Sequence, residues 1–333
     1  MANGQRVAVV GATGAVGQTT LKLLEERNFP LRDIRLLASA RSVGKKMTFK
    51  GEQLPVKEVT ADSFKGIDFA FFSAGGEQSR KFAQHVVKAG AIMIDKSSAF
   101  RMEPTVPLVV PEINGAAARK HQGIVSCPNC TTIVTVMPLK PLHDTGKLRR
   151  VVATSFQAVS GAGVGGIEEL RAQTMAWSKG EKLAPKFFHH QIAFNLIPAG
   201  EIGEGGYTGE EMKLVHEVRK ILDLPDLAIS PTTVRVPVFT AHSISVNAET
   251  ERQVSAAMAR EAFDRVPGLR VYYDPATNKY PMPLVAEGQD DCFVGRIRED
   301  ISTPNAINFW VVGDQLRKGA ALNGIQIAEL LIS

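Results

Sequence analysis

The feature that most limits how this chain can fold lies within its first seventeen residues. An apolar run, Val7-Ala8-Val9-Val10, reads as a buried strand and is followed at once by Gly11-Ala12-Thr13-Gly14-Ala15-Val16-Gly17. A helix then carries Val16, Thr20 and Leu24 at helical spacing. Glycines at such a turn let the backbone reverse tightly and approach a pyrophosphate, which the N-terminus of the next helix binds. The strand–turn–helix context is what gives a G-x-x-G-x-x-G run this meaning. A plain tight turn between strand and helix is the other reading. Gly11, Thr13, Gly14, Ala15, Val16 and Gly17 are therefore candidate contacts to a nucleotide cofactor.

Strand and helix go on alternating. Residues 34–38 read as a strand, and residues 67–73 form a second, ending in Ser73-Ala74-Gly75-Gly76. That second glycine turn is expected to face the cofactor through Ser73 and Gly75. Residues 78–88 read as a helix with Phe82 and Val86 inward, and 91–95 as a strand that leads into Lys96-Ser97-Ser98-Ala99-Phe100-Arg101. Residues 107–110 are short and extended, stopped by Pro111. This rhythm predicts an α/β domain, a Rossmann-like doubly wound parallel sheet. Were the cofactor NAD, an acidic residue should follow the second strand to bind the ribose 2′-OH. Ser39, Arg41 and Ser42 stand there instead, a set suited to a 2′-phosphate. NADP is favoured, with a solvated loop arginine as the alternative.

The pattern changes at Ser126-Cys127-Pro128-Asn129-Cys130-Thr131-Thr132, which opens a predicted helix over 131–139. A cysteine at a helix start feels the positive end of the macrodipole and unpaired backbone N–H groups, which favour the nucleophilic thiolate. A buried structural thiol fits this stretch equally well on its own. Beyond it, residues 150–160 read as a long strand and Ser160-Gly161-Ala162-Gly163 as a glycine turn before a helix over 168–177. Residues 180–206 look irregular and suited to an oligomer contact. A helix over 210–222 follows. Residues 232–239 read as a strand with Val234, Val236 and Val238 on one face and Arg235 on the other. His242 comes just past its end. Thr250 and Gln253 have capping-box spacing, which predicts a helix with Val254, Ala257 and Met258 inward. Strands over 292–298 and 306–312 precede a last helix with Ala321, Ile325, Ala328 and Ile332 on one stripe. The second half is thus predicted to be an α+β domain, a mostly antiparallel sheet with helices on one face. The expected division is 1–128 for cofactor binding and 129–315 for catalysis and dimerisation, with the helix of 316–333 packing back onto the first domain.

Composition removes several other possibilities. At 333 residues two domains are the natural expectation. Three cysteines give no disulfide framework, and Cys127 and Cys130 are too isolated to make a zinc site. The formal charge of +5 comes from scattered Lys and Arg, so nucleic-acid binding is not indicated, although small anionic ligands would be suited. There is no secretion signal and no apolar run near the roughly 20 residues of a membrane span, so a cytoplasmic protein without a membrane partner is expected.

Arg101, Asn129, Gln157, Arg235 and His242 each stand at or near a strand end or turn. A thiol nucleophile needs a general acid/base, and histidine suits because its pKa lies near working pH. Of the seven histidines, only His242 follows directly on a strand carrying an arginine; a satisfied structural histidine is the alternative. With these residues in view, the chain resembles an aspartate-β-semialdehyde dehydrogenase over its whole length. The resemblance rests on the stretches 7–17, 72–76, 95–101, 128–132, 160–163, 207–213, 235–238, 242–243 and 318–323, weak singly but strong in this order.

The resemblance implies NADPH-dependent reductive dephosphorylation of L-4-aspartyl phosphate to L-aspartate 4-semialdehyde. On the family pattern Cys130 is the nucleophile, His242 the acid/base and Gln157 the residue that orients the acyl intermediate. Arg235 would hold the substrate carboxylate, Glu210 and Lys213 would line the substrate and phosphate pocket, and Arg101 and Asn129 would bind phosphate. Ser160, Gly161, Gly163 and Asn323 join the cofactor contacts. A homodimer built on the second domain is implied, with a tetramer left open. Cys127 is not part of the family pattern; no role is expected for it, with a protective disulfide to Cys130 as the alternative. N-acetyl-γ-glutamyl-phosphate reductase is the nearest rival, but its cysteine context differs from Pro128-Asn129. Glyceraldehyde-3-phosphate dehydrogenase is more distant. A noncatalytic Rossmann-type binding protein would not need Cys130, Arg235 and His242 together.

Overall fold

The computed structural model describes residues 4–198 and 200–332. The chain divides into two compact units. Unit 1 comprises Met1–Asn129 and Ala320–Ser333, and unit 2 comprises Cys130–Gly319.

Unit 1 begins with β1 (Gln5–Val10), α1 (Ala15–Glu26) and β2 (Leu31–Ala38). A small hairpin of β3 (Lys46–Phe49) and β4 (Glu52–Pro55) follows, then β5 (Lys57–Glu58), β6 (Phe69–Phe72), α2 (Gly76–Lys88), β7 (Ile92–Asp95), α3 (Pro111–Asn114) and β8 (Ile124–Ser126). Six strands form one sheet in the order β5-β2-β1-β6-β7-β8, every pair parallel. Residues alternate sides along a strand. Val7 and Val9 therefore enter one apolar cluster with Leu21 and Leu24 of α1, while Ala8 and Val10 enter the other with Phe82 and Val86 of α2. Helices on both faces explain why β1 is a continuous apolar run. The predicted parallel sheet is the observed one; the β3–β4 hairpin is an addition to it.

Unit 2 holds α4 (Cys130–Gly146), β9 (Leu148–Gln157), α5 (Val164–Ser178), α6 (Gly209–Leu222), β10 (Ala228–Arg235), β11 (His242–Thr250), α7 (Ala256–Asp264), β12 (Leu269–Val271), α8 (Pro283–Ala286), β13 (Cys292–Glu299) and β14 (Ala306–Gly313). Its sheet runs β10-β9-β11-β14-β13-β12. The four central strands are antiparallel and each edge strand pairs parallel with its neighbour, so the sheet is mixed. Helix α4 runs on past the predicted stop at Leu139, through Pro138 and Pro141. An interior proline costs about 3 kcal/mol; here twelve of seventeen residues of α4 are buried, and packing offsets the lost hydrogen bonds.

Three local expectations need correction. The strand predicted over 232–239 stops at Arg235, because Pro237 has no N–H and the Val238 N–H turns back to Val236 O. His242 does not trail that strand but opens β11, paired antiparallel to β9 and β14. Thr250 caps no helix. It closes β11 with its hydroxyl bonded to Arg252 O and Asn305 O, and Ser255 caps α7 instead, accepting from Met258 N–H. Met258 accordingly lies exposed, and Ala259 and Phe263 face inward.

The chain ends with a wide turn, Arg317–Ala321, and α9 (Leu322–Ile332). This helix belongs to unit 1, where Leu322, Ile325, Ile327 and Ala328 join the α1-side core. Ile332 is partly exposed rather than buried.

Candidate active site

The first glycine turn has the build of a phosphate-binding turn. Gly11 has a φ of 84°, its N–H is bonded to Leu37 O, and a Cβ there would lie 2.7 Å from Ser73 O. A Cβ on Gly17 would meet Gly11 O at 2.3 Å, so that glycine lets α1 close onto the turn. Among the described residues no side chain caps the start of α1, and no acidic residue occupies its first turn, which leaves its N–H groups and positive end suited to an anion. A cavity there is bounded by Gly11, Thr13, Gly14, Ser39, Arg41, Ser73 and Gly75. Gly75, at φ 88° with open space around a would-be Cβ, lets a ligand approach the backbone. These features fit a dinucleotide. Ala15 and Val16 begin α1, and Ser42 Oγ lies 3.3 Å from Thr13 Oγ1; none of the three borders the cavity. Asn323 is wholly buried, its amide donating to Val109 O at 2.9 Å.

Buried Asp95 organises the loop that carries Arg101. It accepts from the Ser79 and Ser97 hydroxyls, both at 2.7 Å, and from Ser97 N–H at 3.1 Å. Arg101, 7% exposed, donates to Cys127 O at 3.0 Å and Lys96 O at 2.7 Å. It thus ties this loop to the one before the candidate nucleophile. Asn129 is buried too. The Cys127 side chain lies in the unit 1 core, and a Cβ on Gly324 would stand 3.7 Å from its sulfur.

In unit 2, Cys130 is the first residue of α4 and is neither fully buried nor fully exposed. A Cβ on Gly319 would come 3.1 Å from Cys130 Cβ, so glycine is needed there for close approach. Gln157, at the end of β9, donates to Thr131 Oγ1 at 2.8 Å, next in sequence to Cys130.

Ala158, the residue after Gln157, holds two side chains through its backbone. Its carbonyl accepts from Arg235 Nη1 at 2.7 Å, and its N–H donates to His242 Nδ1 at 3.1 Å. A Cβ on Gly161 would lie 2.8 Å from His242 Cε1 and 3.0 Å from Arg235 Nη1, which places the two side chains around one glycine. Burial, with Arg235 adding to it, pushes the His242 pKa well below its ordinary value. Burial also lowers Arg235, against the opposing influence of Cys130 and Glu210. The guanidinium is thus within electrostatic reach of both, and by reciprocity it favours a thiolate at Cys130.

Glu210 and Lys213, one turn apart on α6, form an ion pair about one-third exposed on each side. A cavity is bounded by Gln157, Glu210, Thr233, Arg235, His189 and His190. Ser160 donates to Phe239 O and accepts from Gln315 Nε2, and Gly163, at φ 89°, leads into α5.

Sequence reasoning overlooked several supporting residues. Gln315 accepts Ala241 N–H at 2.7 Å, where Ala241 has the unusual φ of 71° just before His242. Glu169 accepts the N–H groups of Lys186, Phe187 and Phe188, and Gln173 those of Ile192 and Ala193. Helix α5 thereby orders much of the irregular segment. The polar pair Glu169 and Gln173, at (i, i+4) ahead of an irregular stretch, was the signal in the sequence. Ala158 acts through its backbone and leaves no signal at all.

The family model described as "Semialdehyde dehydrogenase, NAD binding domain" matches residues 6–121, and the one described as "Semialdehyde dehydrogenase, dimerisation domain" matches residues 139–318. The aspartate-semialdehyde dehydrogenase of Aquifex aeolicus is 51% identical over 335 residues, covering 99% of this chain and 98% of that protein. The Bacillus subtilis aspartate-semialdehyde dehydrogenase is 47% identical, with 99% and 98% covered. The crystal structure of aspartate semialdehyde dehydrogenase II from Vibrio cholerae, 42% identical, superposes with a TM-score of 0.96 over 99% of this chain and 98% of that one. A structure of that enzyme complexed with ASA superposes equally well.

Proposed function

The chain belongs to the aspartate-semialdehyde dehydrogenase family, and from that premise we propose that it performs the NADPH-dependent reductive dephosphorylation of L-4-aspartyl phosphate to L-aspartate 4-semialdehyde. The observation that carries this reading is the cluster of unit 2, in which Cys130 opens α4 and Arg235 and His242 are both held by Ala158.

Cys130 attacks the acyl carbon and displaces phosphate, forming a thioester. When bound, NADPH supplies the hydride that reduces it. The α4 N-terminus and the Arg235 charge support the thiolate. Arg235 pairs with the substrate carboxylate while its Nη1 stays anchored on Ala158 O, a use of the planar guanidinium that lysine cannot copy. Gln157, set by Thr131, orients the acyl group. Glu210 and Lys213 exchange their mutual pairing for substrate and phosphate, and Arg101 and Asn129 take phosphate. His242 is the acid/base that attends the acyl oxygen as the tetrahedral adduct forms and collapses.

The cofactor reading rests on Ser39 and Arg41 beside the glycine turn, with no acidic residue directly after β2, which favours NADP. The product would serve cytoplasmic synthesis of lysine, diaminopimelate, threonine, methionine and isoleucine. A homodimer is supported by the dimerisation-domain match and by exposed Trp177, Phe194, Leu196 and Ile202.

The direct test is an NADP-linked assay of the pure protein with aspartate semialdehyde and phosphate. NADPH formation that requires both is the expected result; none under any ratio of the two would remove the proposal.

A further inference from the structure

The buried stripe of α6 runs through Leu214, Val215, Val218, Ile221 and Leu222. Helical spacing puts Glu211 at the head of that stripe, and its side chain is only 7% exposed. A buried carboxylate is costly unless hydrogen-bond donors meet it. Three donors meet this one. Oε2 accepts the Thr208 N–H at 2.7 Å and the Thr208 hydroxyl at 3.0 Å. Oε1 reaches off the helix and accepts the Thr233 N–H of β10 at 2.9 Å.

The Oε2 bonds close a capping box with Thr208, whose hydroxyl accepts the Glu211 N–H at 3.3 Å. Glutamine completes such a box as well as glutamate does. The bond to Thr233 is the one the box does not need. β10 lies at the edge of its sheet, so every second backbone N–H points away from β9 and requires another partner. At Arg235 that partner is backbone: Ile197 O accepts the Arg235 N–H at 2.8 Å, and Ile197 N–H donates to Arg235 O at 3.0 Å. At Thr233 it is the Glu211 carboxylate. Only a carboxylate offers two acceptor oxygens and no donor. Glutamine in its place would turn an N–H towards Thr208 or Thr233.

Thr208, Glu210, Thr233 and Arg235 border one cavity, and Glu211 is not among its walls. Thr233 and Arg235 share a face of β10, and Glu210 directly precedes Glu211 on α6. One carboxylate therefore joins the helix turn that bears Glu210 and Lys213 to the strand that bears Arg235. A slip of α6 along β10 would move the Glu210–Lys213 ion pair relative to the guanidinium.

We propose, resting on the substrate roles given above to Glu210 and Arg235, that Glu211 is a positioning residue. It fixes the separation between these two opposite charges, and with it the fit of the substrate's α-ammonium and α-carboxylate. An α-amino acid carries both charges on one carbon, so the groups that meet them must keep one spacing.

The test compares Glu211→Gln with Val218→Ala, which thins the same buried stripe at a residue 1% exposed and leaves the carboxylate in place. Amide exchange of the resting protein, read by NMR, should lose protection at Thr233 in Glu211→Gln and keep it in Val218→Ala. In the NADP-linked assay, Glu211→Gln should raise KM for aspartate semialdehyde by about 10-fold, with kcat within about 3-fold and KM for NADP unchanged. Val218→Ala should lower the melting temperature and keep the wild-type KM. A merely structural Glu211 would reduce the active fraction, and so kcat, at constant KM. That outcome overturns the proposal, as does unchanged exchange at Thr233 or an equal rise of KM in Val218→Ala. Glu211→Asp, one methylene shorter, keeps the box and loses the bond to Thr233, and it gives the same reading if Glu211→Gln does not fold. No turnover in the wild type would remove the functional reading and this proposal with it; wild-type turnover with KM unmoved in the Glu211 variants would remove this proposal alone.

Discussion

A methyl group on Gly161 would stand 2.8 Å from Cε1 and 2.9 Å from Nε2 of His242, so the turn after β9 is the surface against which the imidazole rests. Gly161→Ala must displace the ring, the Arg235 fork or the turn itself. A shift of about 1 Å at reacting groups can cost roughly 10²-fold in rate, and we expect a loss of that order in kcat with little change in melting temperature. Steady-state kinetics beside a melting curve checks this. Full activity in Gly161→Ala would mean that the ring tolerates displacement.

The two cysteines of the 126–132 stretch should separate cleanly. Cys130→Ala should abolish turnover and leave NADP binding intact. Cys127→Ala should keep turnover but lose about 1 kcal/mol of stability from the unit 1 core, a drop of roughly 2–4 °C. Loss of activity in Cys127→Ala at unchanged stability would contradict the core assignment.

Arg41 lines the cavity beside the first glycine turn. Arg41→Ala should raise KM for NADP by roughly 10-fold and leave KM for NAD nearly unchanged. Parallel titrations with the two cofactors decide it, and an equal effect on both would show that the guanidinium does not read the 2′-phosphate.

Glu169 is 6% exposed and accepts three successive backbone N–H groups. Glu169→Ala leaves those donors unmatched at a cost of about 3 kcal/mol. Hydrogen exchange should accelerate over residues 186–193, together with a lower melting temperature. Unchanged protection there would mean that other contacts order the segment.

His242 also sets a pH dependence of stability. Its folded pKa lies well below the 6.5 of an ordinary histidine, so between the two values the unfolded chain binds more protons. Stability therefore rises with pH through this window and is lost as pH falls below about 6.5, by at most roughly 1.4 kcal/mol per unit. His121 and His143, lowered chiefly by burial, act in the same sense. Urea unfolding at about pH 7.5 and 5.5 should show a smaller loss on acidification for His242→Gln than for the wild type; equal losses would contradict a buried neutral imidazole.

The parallel half was legible because its cause is local and repeated. Val7 to Val10 must be buried on both faces, and the glycines after them admit few conformations. Unit 2 was less legible where neighbours outweighed local preference. The helix over 131–139 was expected to stop at Leu139, yet burial carried it through Pro138 and Pro141 to Gly146. The valines around Arg235 suggested a longer strand, yet Pro237 ended it. Thr250 had the right spacing for a cap, but its hydroxyl was claimed by Asn305 O, a partner 55 residues away. The side chains proposed to react could be picked out from their residue types. The groups that aim them could not, since Ala158 works through its peptide and Gln315 through contacts remote in sequence.

The placement of α9 bears on how the protein is made. Leu322, Ile325, Ile327 and Ala328 complete a core begun by Val7 and Val9, but the ribosome delivers them after all of unit 2. The α1 side of the sheet must stay unfinished, with apolar surface uncovered, while the second unit is synthesised. Unit 2 can close before unit 1, although unit 1 starts first. A chain stalled or cut before Leu322 would therefore carry its defect in the nucleotide-binding half, at the opposite end of the sequence from the lesion.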